Sequence, residues 1–176
     1  MKTQDLVKCA LFTAVICISA YICVPLPFTP VPITLQTAAV MLCAVLLGSR
    51  RGAAAVVLYV ILGAIGLPVF SGGKGGIGVL AGATGGYIWG FIPAAYITGK
   101  IAEVLSIKRF KTYLAVMALG IVIIYIAGTM QYSITANISF TAALASAVTP
   151  FVFADAVKIA AAALIAGRLK GVYFQS

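Results

Sequence analysis

Asp155 and Lys158 stand three residues apart inside an apolar run that begins T-P-F-V-F-A-D-A-V-K at Thr149 and continues to Ala166. Thr149 is suited to an N-cap and Pro150 to the first helical position, so the aspartate falls five residues in, roughly 8 Å of helix rise. The run reads as a membrane-spanning helix, and a spacing of three puts both charges on one of its faces. Each charge costs about 2.5–3.5 kcal/mol at a bilayer centre, and such residues face a partner, a cavity or a ligand. We read this face as the floor of a binding site. Catalysis within the membrane would need a nucleophile with a base, or a metal cluster. A chain with no histidine, one intramembrane acid and one intramembrane lysine offers neither. A proton- or ion-coupled carrier acting alone remains open, since an Asp–Lys pair can relay protons.

The composition fits elements that lie in lipid. Of 176 residues, 63% are hydrophobic and 9% charged, with mean hydropathy +1.17, too apolar for an ordinary soluble domain. The expected fold is an all-α integral membrane protein with six transmembrane helices, cut at about Leu6–Val24, Ile33–Gly48, Gly52–Leu67, Thr84–Val104, Thr112–Tyr132 and Val148–Gly167. The second and third are short for a full span. Of the 12 Lys and Arg, Lys2, Lys8, Arg50, Arg51, Lys100, Lys108, Arg109, Lys111, Arg168 and Lys170 fall on one side. Both termini are therefore expected in the cytoplasm. A net charge of +9 suggests no nucleic-acid partner here, because the basic residues sit in short loops rather than on a soluble face. The N-terminal apolar run lacks a small-residue cleavage site, so no signal peptide is expected. Cys9, Cys17, Cys23 and Cys43 lack metal-ligand spacing and are read as structural thiols. Residues 1–171 are taken as one membrane domain, and 172–176, V-Y-F-Q-S, look like a protease-site remnant of expression.

The connections are unequal. V-P-L-P-F-T-P-V-P-I holds Pro25, Pro27, Pro30 and Pro32, four of the seven prolines. It cannot be helix, and it is either a cap folded over a pocket or a stiff external linker. Thr34 and Gln36 follow, aimed at a pocket or at backbone. The next outer connection has eight glycines between Gly72 and Gly86, with Lys74 as the single outer charge. It is either a loop whose backbone approaches a ligand closely or a merely flexible one. It is not a phosphate loop, since the G-x-x-x-x-G-K-[ST] order is absent. Gly85, Gly86, Gly90 and Gly99 should let helices pack closely, and Pro93 should kink the fourth span. Ala10 and Ala14 make a small-x-x-x-small step on the first helix, which on the residues alone favours packing within the chain over a partner protein. No internal repeat is visible.

The stretches P-F-T-P-V-P-I-T-L-Q-T, L-L-G-S-R-R-G, L-G-A-I-G-L-P-V-F-S-G-G-K-G-G, G-A-T-G-G-Y and P-F-V-F-A-D-A-V-K together resemble the BioY family. These are the biotin-binding substrate subunits of energy-coupling factor (ECF) vitamin importers, proteins of prokaryotic plasma membranes. The resemblance runs in order from the first span to the last. It implies a six-helix S-component fold, biotin as ligand without a cofactor, and a coupling membrane subunit and ATP-binding subunits as partners. It implies that Asp155 and Lys158 contact biotin, and that Tyr87 and the glycine loop around Lys74, with Gly73 and Gly75, lie at the pocket; Gln36, read from its polar side chain at the start of the second span, is expected there too. It also implies that Ala10 and Ala14 meet the coupling subunit. Two departures concern local backbone. The family commonly has Pro-Gly where this chain has Phe153-Ala154, and proline where it has Ala83. Family members often carry a small polar residue in place of Lys74. Biotin brings one carboxylate, a ureido group with two N–H donors and a carbonyl, and an apolar ring and chain. Its negative charge would neutralise the +1 sum of Asp155, Lys158 and Lys74. The alternative function is a stand-alone carrier for another small carboxylate vitamin.

Overall fold

The structure, a computed structural model, describes residues 3–107 and 109–173, with side chains as far as Leu169. Lys2, Lys108 and the end of the suggested cleavage remnant at 172–176 lie outside the described residues, and the side chain of Lys170 is likewise not described. Helix α1 (Thr3–Ser19) leads into a two-stranded antiparallel hairpin, β1 (Cys23–Leu26) and β2 (Thr29–Thr34). Then come α2 (Gln36–Ala64), α3 (Ile77–Ala81), α4 (Gly85–Val104), α5 (Phe110–Ala136), α6 (Phe140–Ala147) and α7 (Thr149–Tyr173).

The helical stretch α2 is two limbs, not one rod. It reverses at Gly48, where φ is +80° and ψ −176°, a conformation only glycine adopts without strain. Gln36 Nε2 donates to Tyr59 Oη at 2.5 Å, although residues that far apart on one straight helix would be separated by roughly 35 Å. Cys43 Sγ likewise reaches the Gly52 carbonyl at 3.9 Å. The limbs, 36–47 and 49–64, correspond to the second and third expected segments. The expected gap between them is replaced by a turn at one residue, with Arg50 and Arg51 already helical. Helix α4 braces the turn: a Cβ on Gly99 would lie 2.6 Å from the Gly48 carbonyl carbon. One turn further on, Glu103 accepts from Ser49 N–H at 2.9 Å and Ser49 Oγ at 2.8 Å. A carboxylate at that place satisfies an otherwise unpaired donor at the start of the second limb and suits its dipole.

Three helices among the described residues are long and apolar enough to cross a membrane: Gln36–Ala64, Phe110–Ala136 and Thr149–Leu169. The first of these is the reversed pair. Close glycine contacts occur as expected on α4, where a Cβ on Gly90 would meet Ala127 Cβ at 3.0 Å and one on Gly86 would overlap the Ala127 carbonyl of α5. Large apolar side chains such as Leu11, Ile18, Ile126, Met130, Phe153 and Leu164 point outward, as the exterior of a protein solvated by lipid requires. Further local details differ from the sequence reading: α1 ends at Ser19 rather than near Val24, and Val24, Ile33 and Thr34 lie in the hairpin, so the chain is not purely helical. The connection between the fifth and sixth expected segments contains α6, capped by Ser139, whose Oγ accepts from Ala142 N–H at 3.2 Å. Because α6 runs almost directly into α7, Thr149 is already helical, and Val148 holds the bend between them with φ −129° and ψ −52°.

Candidate functional site

A cavity of about 340 Å³ opens between the hairpin, the glycine loop and helices α2, α4, α5 and α7, within the size range of small-molecule sites. Its cover is the proline-rich hairpin. Pro25 sits at the irregularity in register between Val24 and Leu26, where the missing N–H leaves no broken ladder bond. Pro30, Val31, Pro32 and Thr34 also line the cavity. The prolines thus form a stiff cap rather than an external linker. Its walls are apolar and aromatic, with Ile88, Phe91 and Phe151 buried along them.

The floor is polar. Asp155 is only 4% exposed and forms an ion pair with Lys158 one turn along α7. Oδ1 also accepts from Thr37 Oγ1 at 2.9 Å, and Oδ2 accepts from Tyr125 Oη at 2.5 Å. The Lys158 ammonium donates, besides, to the Thr34 carbonyl at 2.7 Å and to Thr37 Oγ1 at 3.2 Å. An ammonium has three donors, and all three are engaged. One network therefore joins the end of β2, the first turn of α2, α5 and α7. The pair cancels its own charge, which is how two ions are tolerated in so apolar a setting.

Gln36, Tyr87 and Lys74 line the same cavity. Gln36 is anchored to Tyr59, and the buried Tyr87 donates to the Ala147 carbonyl at 2.8 Å, tying α4 to α6. Lys74 is exposed at the cavity edge, in a turn closed by Phe70 N–H donating to its carbonyl at 2.8 Å. The glycine loop is folded rather than loose, and it includes α3, which brings Val79 to the cavity. Gly73 and Gly75 do not line the cavity; Ser71 and Gly72 do. Gly75 serves the loop itself, since a Cβ there would overlap the Leu67 carbonyl.

Thr37 and Tyr125 were not singled out from the sequence. For Tyr125 a signal was present: a lone phenol in the apolar run I-V-I-I-Y-I-A needs a hydrogen-bond partner when it faces the protein interior. Thr37 follows Gln36 directly and offered only its place at a helix start. Ala10 and Ala14 are exposed on α1, on the side that also carries Val7, Leu11 and Ile18, while Cys9, Phe12, Thr13 and Ile16 face inward. Packing of this step against the chain's own helices, favoured by the residues alone, is therefore corrected.

The BioY family model matches residues 1–174. The chain belongs to the BioY family. It is 44% identical over 167 residues to the biotin transporter BioY of Thermotoga maritima, covering 95% of this chain and 96% of that one. It is 40% identical to the biotin transporter BioY of Rhizobium etli, over 94% of this chain and 92% of that one. In three dimensions it matches a crystal structure of the S-component for biotin from an ECF-type ABC transporter with a TM-score of 0.90 at 30% identity. That match covers 97% of this chain and 92% of the other, so membership extends to the whole fold.

Proposed function

We propose that this chain is the biotin-binding substrate subunit of an ECF-type importer in a prokaryotic plasma membrane, working by binding rather than catalysis. The observation that carries the reading is the buried Asp155–Lys158 pair, with its hydroxyl partners, at the foot of an otherwise apolar cavity. Biotin fits those terms: its thioether ring and chain suit the aromatic walls, and its ureido group offers an N–H donor to Asp155. Since Asp155 and Lys158 already balance each other, the cation that answers the ligand's carboxylate is Lys74 at the cavity edge, with Gln36 and Tyr87 shaping the space between.

Six crossings with both termini in the cytoplasm follow from pairing the reversal at Gly48 with the one-sided distribution of basic residues. The hairpin and the glycine loop then face outward, and Gly48, Arg50 and Arg51 inward. The exposed Ala10–Ala14 face of α1 is the docking surface for the coupling membrane subunit, to which the ATP-binding subunits attach. Titration of the purified, detergent-solubilised protein with biotin, thiamine and riboflavin tests the ligand. Saturable heat with biotin alone is expected. Binding of thiamine or riboflavin in its place, or of none of the three, refutes the assignment.

A further inference from the structure

On the reading that biotin meets the Asp155–Lys158 face, we propose that Tyr125 and Thr37 are positioning residues that select the ligand by fixing the direction of the Asp155 carboxylate. An aspartate carboxylate turns about a broad, roughly two-fold torsion. Lys158 lies on the same helix at i+3 and by itself would draw either oxygen towards α7. Tyr125 and Thr37 come from α5 and α2, and they bind different oxygens. Held from three elements, the carboxylate has one orientation. Each carboxylate oxygen offers about two acceptor positions. On Oδ1 both are taken, by Lys158 and Thr37; on Oδ2 one is taken, by Tyr125. The second position on Oδ2 is the acceptor left for a ligand N–H. Thr37 adds direction of its own: it accepts from Lys158 and donates to Asp155, so its proton has one place to point. A ligand with a donor at that point is favoured over one that presents an acceptor there, and removal of either hydroxyl blurs the distinction.

The test is biotin affinity of the full chain in detergent, followed to millimolar biotin, for Tyr125→Phe, Thr37→Val, Thr37→Ser, Asp155→Asn and the double variant Tyr125→Phe/Asp155→Asn. Gel filtration and thermal unfolding establish that each variant is folded. Tyr125→Phe and Thr37→Val should each weaken binding about tenfold, as expected for loss of a hydrogen bond to a charged group, and Thr37→Ser should stay within about twofold of wild type. The decisive measurement is the cycle: on the Asp155→Asn background, Tyr125→Phe should cost less than about twofold more, because the group it positions is gone. A full tenfold penalty on that background means that the phenol touches biotin directly, and wild-type affinity in Tyr125→Phe or Thr37→Val means that the hydroxyls only brace the fold. Either result overturns the proposal while Asp155→Asn still binds weakly. Wild-type affinity in Asp155→Asn removes the underlying site reading and the proposal with it.

Discussion

Neutralising one member of the Asp155–Lys158 pair should separate the pair's part in binding from its part in folding. Asp155→Asn keeps one acceptor oxygen but turns an amide NH2 into a shell that holds three donors, from Lys158, Thr37 and Tyr125. With its oxygen kept towards Lys158 and Thr37, its NH2 faces the Tyr125 hydroxyl, which must then accept instead of donate, and the ammonium loses its counter-charge. Lys158→Met leaves the carboxylate with two hydroxyl partners and withdraws the donor to the Thr34 carbonyl. Breaking a buried pair by removing one partner typically costs about 3–5 kcal/mol, an upper bound here because the Lys158 side chain, 13% exposed, borders a cavity that admits water. On binding, each lost charged hydrogen bond is worth about 1.5–3 kcal/mol, so the affinity for biotin should fall roughly ten- to a hundredfold. The double variant Asp155→Asn/Lys158→Met distinguishes the two roles. With no uncompensated charge its unfolding temperature without ligand should return towards wild type, yet biotin should still fail to bind tightly. Calorimetric titration gives the affinities, and thermal unfolding with and without excess biotin gives the stabilities. The extra stability from ligand should shrink by about 1.4 kcal/mol per tenfold loss of affinity. Wild-type affinity in folded Asp155→Asn and Lys158→Met, or tight binding by the double variant, would refute the reasoning.

Gly48→Ala should destabilise the protein by about 2–4 kcal/mol, from a backbone conformation unsuited to alanine and from overlap with Glu103. Combining it with Glu103→Ala should cost less than the sum of the two, which denaturation of the three variants measures; strict additivity would contradict the contact. In a cysteine-free background, Arg50→Cys and Ile77→Cys, both at exposed positions, should react with an impermeant maleimide from opposite sides of the membrane. Labelling of both from outside would refute the six-crossing arrangement. Ala10→Trp with Ala14→Trp should weaken co-purification with the coupling subunit while leaving the affinity for biotin within about twofold, because the face lies on the outside of α1. Loss of both together would count against docking there.

What was legible in the sequence was whatever apolarity penalises. A charge or a run of prolines in a chain this hydrophobic needs a reason, and so Asp155, Lys158 and the hairpin segment stood out. The same logic reaches Tyr125, whose hydroxyl is as foreign to its run as the charges are to theirs. It does not reach Thr37, because a threonine at a helix start has enough local uses that nothing marks it as a bridge. Nor does it tell Gly72 from Gly73 or Gly75 within a glycine-rich loop: which of them meets the cavity depends on the sequence of positive φ angles at Gly72, Gly73 and Gly76, which composition does not encode. Gly48 was hidden for a related reason. Its neighbours Ser49, Arg50 and Arg51 look like a polar loop, yet they form the first turn of the second limb because Glu103, distant in sequence, accepts from Ser49. All three acids of the chain turn out to be joints of this kind. Asp5 meets Arg51 at 3.2 Å and ties α1 to α2, Glu103 ties α4 to the reversal, and Asp155 ties α7 to α2 and α5. Where acids are this scarce each one carries a contact that apolar packing cannot make. Asp155 differs from the other two in bordering a cavity, and that is the physical reason to place recognition there.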